Sequence, residues 1–267
     1  MHRNSIAQAL DACAAQWCPK TGPWIIAVTG SGGKTTTIEQ LARYWEAQGL
    51  SVLVSTTTHM AHPDVYAYRF AHHVVLKPTF QVVATAYPGQ TVLYGSDAGD
   101  KIASVAPDLL QQSINRFDRV LIEADGARQL PLKIHSERDP VIPDQSSMII
   151  AVMGLGAYMH DLDDRVMFLS SHYRKLHPDD APQVTEQTYV NLIAHPDGVL
   201  KACGSIGTVV CCNQSDAVDA QGTKRIVEAI RHAEIPRDIS LMCCSWHNGT
   251  LSHYEELRGR GSTHESI

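Results

Sequence analysis

The stretch Trp24–Thr37 reads WIIAVTGSGGKTTT, and the rest of the chain is organised around it. Residues Trp24 to Thr29 are apolar or β-branched and predict a short buried strand. Glycines follow at once, and apolar side chains then recur at helical spacing on one face. The members of that face are Ile38, Leu41, Ala42 and Trp45. The stretch therefore predicts a strand, a glycine loop and an amphipathic helix in direct succession.

This succession is typical of a phosphate-binding loop. Glycines allow the backbone N–H groups to turn inward, and the helix N-terminus adds a partial positive charge. Lys34 would reach the terminal phosphates, and the Thr35 hydroxyl would ligate Mg²⁺. The residues expected to bind the nucleotide in this loop are Gly30, Ser31, Gly32, Gly33, Lys34, Thr35 and Thr36.

The loop departs from the full pattern G-x-x-x-x-G-K-[ST], which has glycine where this chain has Val28. The shorter form G-S-G-G-K-T-T that remains resembles the loop of the Mur-ligase branch of P-loop proteins. The alternative is a glycine-rich turn with an exposed lysine. The clear strand before the loop and the amphipathic helix after it favour the phosphate site.

The length and composition are those of a soluble globular chain. The 267 residues can bury a full core, so we expect one nucleotide-binding domain over residues 1–257. Residues 61–90 are a possible small irregular or β insertion, and residues 258–267 are expected to be a disordered tail. The formal net charge of −6 gives no support to nucleic-acid binding, and no segment is apolar enough to span a membrane.

The N-terminus and the cysteines bear on the compartment. Asp11 interrupts the apolar part of MHRNSIAQALDACAAQ, so a signal peptide is not expected. The seven cysteines are an odd number, and no pair has zinc-site spacing. Thiols packed as small apolar groups in a reduced, cytoplasmic protein are the favoured interpretation.

Predicted strands alternate with predicted helices, and most of the strands are continuously apolar. This pattern predicts an α/β, three-layer, P-loop NTPase-like fold, with a mostly parallel sheet covered by helices on both faces. The predicted strands are Trp24–Thr29, Ser51–Ser55, Thr91–Tyr94, Arg119–Ile122, Met148–Met153, Thr208–Cys212 and Ile239–Cys244. The predicted helices are 4–17, 36–48, 107–115, 184–194 and 223–233.

Polar motifs follow several of these strands. They are Gly30–Thr36, Thr56–Thr58, Glu123–Gly126 and Asn213–Asp216. In an open parallel sheet, ligands bind outside the carboxyl ends of the strands. Each motif is ordinary alone, but together they outline one nucleotide crevice.

Glu123 and Asp125 follow an apolar run, as the acidic residues of a Walker B segment do. One carboxylate would hold Mg²⁺ and the other would orient a nucleophile, and the sequence does not assign which. With Lys34 they are the predicted catalytic residues, and with Thr35 the predicted metal ligands. The alternative is a carboxylate pair that caps a loop or pairs with Arg128.

Asn213-Gln214-Ser215-Asp216 resembles the N-K-x-D motif of GTP-binding proteins. There the acid accepts hydrogen bonds from guanine and the asparagine braces the loop, so Asn213 and Asp216 are predicted to bind the nucleotide. Gln214 stands where lysine is usual, and the aliphatic stem and charge that cover the base are lost. Because Asn and Asp are also common turn residues, a simple turn remains the alternative.

A further group of residues could face a second, anionic substrate. Its members are Thr57, Thr58, Arg128, Lys133 and Arg165. The alternatives are threonines that extend a strand and charges that are solvated on loops.

With these residues in hand, the chain resembles the selenium-dependent hydroxylase accessory protein family (YqeC type). The matching segments are GSGGKTTT, STTTHM, VLIEADGARQLPLK, DPVIP, HPDGVLK and NQSD, within about residues 25–245. The run EADGA…PLK is the most particular to that family. The resemblance implies a P-loop nucleotide-binding protein that helps to mature a selenium-containing, molybdenum-dependent hydroxylase, so that hydroxylase or its cofactor is the implied partner.

The function expected from the sequence is therefore a Mg²⁺-dependent nucleotide-binding protein, a GTPase in preference to an ATPase, that assists this maturation. Glu123–Gly126 is also similar to the E-x-x-G switch segment of metal-chaperone GTPases, which is an analogy at the level of the fold. The alternatives are an ATP-dependent transferase, ligase or kinase acting on a small molecule or cofactor, and a non-enzymatic scaffold regulated by nucleotide.

Overall fold

The computed structural model describes residues 3–77 and 88–259. Its centre is a nine-stranded sheet in which every pair of neighbours is parallel except the last pair at one edge. In spatial order the strands are β14 (Thr250–Leu257), β13 (Ile239–Ser245), β12 (Gly207–Asn213), β10 (Met148–Gly154), β1 (Trp24–Gly30), β8 (Arg119–Glu123), β2 (Val52–Thr56), β5 (Thr91–Tyr94) and β4 (His73–Val75). The prediction of an α/β fold with a mostly parallel sheet is confirmed.

Helices cover both faces of the sheet. They are α1 (Arg3–Trp17), α2 (Lys34–Glu46), α3 (Pro107–Ile114), α4 (Ser170–Leu176), α5 (Glu186–Ala194) and α6 (Ala220–His232). Ile26 and Val28 of β1 pack with the apolar side chains of α1 and α2, whereas Ala27 packs with those of α5 and α6. Alternate residues of a strand point to opposite faces, so a continuously apolar β1 can serve two buried layers.

Two small sheets complete the fold. β3 (His59–Ala61), β7 (Lys101–Ala103) and β6 (Ser96–Asp97) form an antiparallel sheet, and β9 (Leu132–Lys133) pairs in parallel with β11 (Met167–Phe168). The expected insertion at 61–90 thus contains the end of β3 and all of β4, while residues 78–87 lie outside the described residues. β9 is not among the strands predicted from the sequence.

The chain ends differently from the sequence prediction. Ile239–Cys244 was expected to be the last strand, but the antiparallel β14 follows it at the edge of the sheet. Exposure alternates along β14, as expected of a strand with one solvated face. The strand was not predicted because its polar residues are also typical of a loop. Of the predicted tail, Arg258 pairs with Asp238 and the Gly259 N–H donates to the same carboxylate. Residues 260–267 lie outside the described part of the chain.

The strand order determines what meets at the glycine loop. β8 lies between β1 and β2, and its Glu123 is in register with Val28 on one side and Thr56 on the other. The residues just beyond Glu123 therefore emerge beside the residues just beyond Val28. Across residues 3–77 and 88–259, no helix combines the length and the apolar character that crossing a membrane requires.

Candidate functional site

The loop after β1 is built on glycines that no other residue could replace without displacement. Gly30, Gly32 and Gly33 have φ angles of 87°, 79° and 133°. A Cβ atom added to Gly30 would lie 2.1 Å from the Val152 carbonyl oxygen, and one added to Gly33 would lie 2.3 Å from Asn213 Nδ2. The loop is therefore held closely between β10 and the end of β12.

Several loop N–H groups already have acceptors within the protein. Gly30 N–H donates to Asp125 Oδ2 at 2.9 Å, Ser31 N–H to the Val152 carbonyl at 2.9 Å, and Gly32 N–H to the Leu130 carbonyl at 3.0 Å. These three amides position the loop, which does not fit the expectation that they cradle the phosphates.

The donors that an anion can use lie one step later, at the start of α2. The N–H groups in the first turn of a helix have no acceptor inside that helix. At α2 this turn is Lys34–Thr36, and the preceding Gly33 has no side chain with which to cap it. The partial positive charge of the helix end favours an anion at these groups.

Lys34 lies at the middle of the site and is buried. Its ammonium donates to the Gly30 carbonyl at 2.8 Å and lies 3.0 Å from Asp125 Oδ1 and 3.8 Å from Glu123 Oε1. Burial alone would lower the pKa of Lys34, but the neighbouring Asp125 and Glu123 carboxylates raise it above its ordinary value. Lys34 therefore remains a cation next to the loop.

Asp125 is fully buried and is the most heavily bonded side chain of the site. Its Oδ2 accepts from Gly30 N–H and Lys133 Nζ, each at 2.9 Å, and lies 2.9 Å from His135 Nε2. Its Oδ1 faces Lys34. Burial opposes the charge, yet Lys34, His135 and Lys133 together hold the pKa of Asp125 well below its usual range.

Glu123 differs from Asp125 although it is two residues away. Burial raises the pKa of Glu123 above its ordinary value, which the charge of Lys34 opposes in part. Its contacts are weaker, because Thr35 Oγ1 donates to Oε2 at 3.3 Å and Lys34 lies 3.8 Å away. Glu123 therefore has weaker contacts than Asp125, whose Oδ2 is bonded within the chain and whose Oδ1 has an ion pair with Lys34 but no hydrogen-bond partner among the described residues.

These contacts bear on the expected Mg²⁺ ligands Thr35, Glu123 and Asp125. Among the described residues no group of three or more His, Cys, Asp or Glu side chains could hold a metal ion. Magnesium in nucleotide sites needs only one or two protein oxygens, since phosphates and water supply the others. Thr35 Oγ1 and the Glu123 carboxylate fit that requirement better than Asp125, whose Oδ1 faces the Lys34 ammonium and whose Oδ2 is bonded within the chain.

The other expected nucleotide-binding residues lie at the end of β12. Asn213 Nδ2 donates to the Gly32 carbonyl at 2.8 Å, and Asn213 Oδ1 accepts from Trp246 N–H at 3.2 Å. Asn213 thus braces the glycine loop. Gln214 turns aside with a φ of 66°, and its Oε1 accepts from Gly156 N–H at 3.3 Å.

Asp216 is exposed and borders a cavity of about 600 Å³. This cavity begins at the glycine loop and ends at the loop after β13. Its lining includes Gly33, Thr36, Asn213, Asp216, Trp246 and His247. The structure therefore brings Asn213 and Asp216 to the same cavity as the start of α2, with Asp216 at its rim.

The residues expected at a second substrate are not gathered in one place. The Thr57 hydroxyl donates to the Val141 carbonyl at 2.6 Å, and Thr58 lies beside it. The exposed Arg128 lies 5.1 Å from the centre of the Phe168 ring. Arg165 is exposed and pairs with Asp163.

Lys133 does not fit the expectation that it binds an anionic substrate. Its side chain is fully buried, and its ammonium donates to Asp125 Oδ2 at 2.9 Å and to the Gly126 carbonyl at 2.7 Å. Asp139 Oδ2 lies 3.5 Å away. These acceptors use the ammonium inside the chain, because a buried cation is stable only when it is paired.

Sequence reasoning missed His135 and Trp246. His135 Nδ1 lies 2.8 Å from the Gly198 carbonyl while Nε2 faces Asp125, and Trp246 Nε1 donates to Thr37 Oγ1 at 2.9 Å. The spacing of Lys133 and His135 could have indicated that both side chains leave an extended segment on one side.

The cysteines are all free and buried, with Cys211 Sγ 3.6 Å from Cys244 Sγ, as expected of reduced thiols.

Comparison with known proteins adds a family to this geometry. The family model described as "YqeC protein" matches residues 26–170, which is more than half of the chain. The chain is also 33% identical over 186 residues to "Uncharacterized protein YqeC" of Escherichia coli (strain K12), covering 67% of this chain and 71% of that protein.

The chain belongs to the YqeC family. No solved structure matched it. The matched segment 26–170 contains the glycine loop, Glu123, Asp125, Lys133 and His135, so the glycine-loop side of the candidate site lies within the part of the chain that the family model describes. Asn213 and Asp216 lie beyond it.

Proposed function

We propose that this chain binds a nucleoside triphosphate together with Mg²⁺ and hydrolyses it, with GTP preferred to ATP. The observation that carries the proposal is the meeting of Lys34 and Thr35, at the uncapped start of α2, with Glu123 from the neighbouring strand. A cation, a row of helix N–H groups and a carboxylate with weak contacts of its own stand around one loop. These are the kinds of groups that bind and stabilise the phosphates in phosphoryl transfer.

Each group has a role that follows from its position. Lys34 and the N–H groups of Lys34–Thr36 would bind the β- and γ-phosphates and stabilise the charge that develops on them. Thr35 Oγ1 and Glu123 would hold Mg²⁺, which supplies further positive charge at the phosphate oxygens. Asp125 keeps the loop in shape through the Gly30 N–H.

The preference for GTP rests on Asp216. An exposed carboxylate only accepts hydrogen bonds, and guanine offers two adjacent donors, N1–H and the N2 amino group. Adenine places an acceptor, N1, beside its amino group and so meets the carboxylate with one donor. Asp216 borders the cavity that leads from the start of α2, which is where the base of a bound nucleotide would lie.

The biological context that we propose comes from the resemblance of residues 120–133, and of the other matching segments named above, to the selenium-dependent hydroxylase accessory protein family. In that context nucleotide hydrolysis accompanies the maturation of a selenium-dependent molybdenum hydroxylase, and the hydroxylase or its cofactor is the partner. Hydrolysis would then serve as a timing step, as it does in GTPases that deliver metals.

Calorimetric titration of the full chain with GTP and with ATP, each with and without Mg²⁺, tests the proposal. We expect micromolar or tighter binding of GTP with Mg²⁺, weaker binding of ATP, and loss of affinity when Mg²⁺ is removed. Phosphate release from GTP alone, without a second substrate, should accompany binding. A well-folded chain that binds neither nucleotide would refute the proposal, and turnover that strictly needs an acceptor molecule would replace hydrolysis by transfer.

A further inference from the structure

The starting point is the state of Lys34. Its ammonium contacts two buried carboxylates, Asp125 at 3.0 Å and Glu123 at 3.8 Å. Under the proposed function, on which this inference rests, the same ammonium must turn to the phosphates when a nucleotide binds. A buried carboxylate that lost its only cation would oppose that movement strongly, since an unpaired buried charge is costly.

Asp125 does not depend on Lys34 alone. Lys133 Nζ lies 2.9 Å from Asp125 Oδ2, and the Lys133 side chain has no solvent exposure. His135 Nε2 lies at the same distance from the same oxygen. The two basic side chains bond the oxygen that also holds Gly30 N–H, while Lys34 bonds the other oxygen of the carboxylate.

We propose that Lys133, supported by His135, is a positioning residue that replaces Lys34 as the partner of Asp125 when Lys34 turns to the phosphates. Asp125 then keeps its hydrogen bond to Gly30, and the glycine loop keeps its shape, in both states of the site. Lys133 never touches the nucleotide. Lys133 determines instead how readily Lys34 leaves Asp125 to bind the nucleotide.

The segment His195–Lys201 supports this arrangement from outside the loop. His135 Nδ1 lies 2.8 Å from the Gly198 carbonyl oxygen and Nε2 lies 2.9 Å from Asp125 Oδ2, and these two contacts hold the ring with Nε2 towards Asp125. Lys201 Nζ donates to the Ser136 carbonyl at 2.9 Å and pairs with Asp197 at 2.8 Å. HPDGVLK, a segment far from the loop in sequence, thereby contributes to the position of Asp125.

The test is a double-mutant cycle of Lys133→Met and Asp125→Asn, measured both by titration with GTP and Mg²⁺ and by urea unfolding. Methionine keeps most of the length and apolar character of lysine without its charge, and asparagine keeps an acceptor for Gly30. Lys175→Met is the matched control, because Lys175 is an exposed lysine of α4 that does not belong to this cluster.

We expect Lys133→Met to weaken GTP binding by about tenfold or more, because Lys34 must then stay with Asp125. Lys175→Met should change affinity by less than about twofold. In the double variant the loss of GTP affinity caused by Lys133→Met should largely disappear, because residue 125 no longer carries a charge that Lys34 must neutralise. The same relief should appear in the unfolding free energy. If Lys133→Met alone does not fold, a double variant that folds and binds GTP shows the relief directly, and a double variant that does not bind GTP contradicts the inference.

Two results would overturn the inference while leaving the proposed function intact. One is wild-type affinity in a folded Lys133→Met chain. The other is strict additivity of the two substitutions in GTP affinity, which would mean that Lys133 does not act on Lys34 through Asp125. If the wild-type chain itself binds no nucleotide, the proposed function fails first and the inference fails with it.

Discussion

The two ends of the candidate site are built in different ways. At the end next to the glycine loop, Lys34, Asp125, Lys133 and His135 are buried and in contact with one another. At the other end, Asp216 is exposed at the rim of an open cavity. Groups that contact one another inside the protein have a fixed geometry before any ligand arrives, whereas an exposed carboxylate acquires its partner only from a ligand. Under the proposed function, the glycine-loop end should therefore control stability and nucleotide binding, and the Asp216 end only the selectivity for the base.

The largest effect on stability is expected from Asp125→Asn, which tests the role assigned to the buried end of the site. Removing one partner of a buried charge cluster leaves Lys133 and Lys34 without full compensation, so the unfolding free energy should fall by about 3–5 kcal/mol at pH 7. Urea unfolding measures it. Asp161→Asn, at a largely exposed carboxylate, is the matched control and should cost less than about 0.5 kcal/mol.

The same variant has a predictable pH dependence. The pKa of Asp125 is lowered in the folded chain, so its stabilising contribution is complete above its ordinary pKa of about 3.9 and is lost as the pH falls towards the folded value. The difference in unfolding free energy between wild type and Asp125→Asn should thus be constant from pH 7 to 5 and shrink below about pH 4. A difference that grew on acidification would contradict the assignment of Asp125 as the buried anion.

Lys34→Ala should produce the next largest effect, on binding and not on folding. The variant loses the ammonium that would bind the terminal phosphates, and affinity for GTP with Mg²⁺ should fall at least about 100-fold. The chain should still fold, because Lys133 and His135 continue to pair with Asp125. Calorimetry measures the affinity for GTP, and circular dichroism shows whether the variant is folded. Retained binding in a folded variant would remove Lys34 from the site.

Asp216→Asn sharpens the comparison from the exposed end. Asparagine can donate to the C2 carbonyl of xanthine, where guanine has an amino group, so preference should shift from GTP towards XTP by about tenfold or more. Stability should stay within about 0.5 kcal/mol of wild type, because the side chain is exposed. Competition titrations with GTP, XTP and ATP measure the shift. Unchanged preference would show that Asp216 does not contact the base.

Glu123→Gln should have a small effect on stability, in the opposite direction from Asp125→Asn. The raised pKa means that ionising buried Glu123 costs stability as the pH rises above about 4.3, so a neutral side chain should raise Tm by a few degrees at pH 7. Mg²⁺-dependent binding should weaken in the same variant. Thermal unfolding without nucleotide tests the first effect, and a lowered Tm would contradict it.

Much of the fold could be predicted from the sequence because its signals are local. The continuously apolar strands, the glycines after β1 and the helical spacing from Ile38 to Trp45 indicated a parallel sheet and its central loop. β14 was missed because an edge strand exposes one face and carries the polar residues of a loop. The loop, Lys34, Thr35 and Glu123 were likewise placed together by the rule that parallel strands end at one edge.

The roles within the cluster could not be read in the same way. Glu123 and Asp125 are equivalent in sequence, yet one is bonded by Lys133, His135 and Gly30 and the other is not. Lys133 looked like a loop cation open to substrates, and its burial follows from the pairing of β9 with β11. Burial and partner distances come from segments far apart in the chain, so no local pattern contains them.

The sequence by itself determined that a glycine loop joins an apolar strand to a helix, because chain conformation and periodicity are properties of neighbouring residues. Only the tertiary structure decided which carboxylate belongs to the protein and which is left for a ligand. The physical reason is that the charge state and availability of a buried group depend on the groups around it. Here those groups come from two segments far apart in the chain, the glycine loop with the start of α2, and β9 with His135 just beyond it.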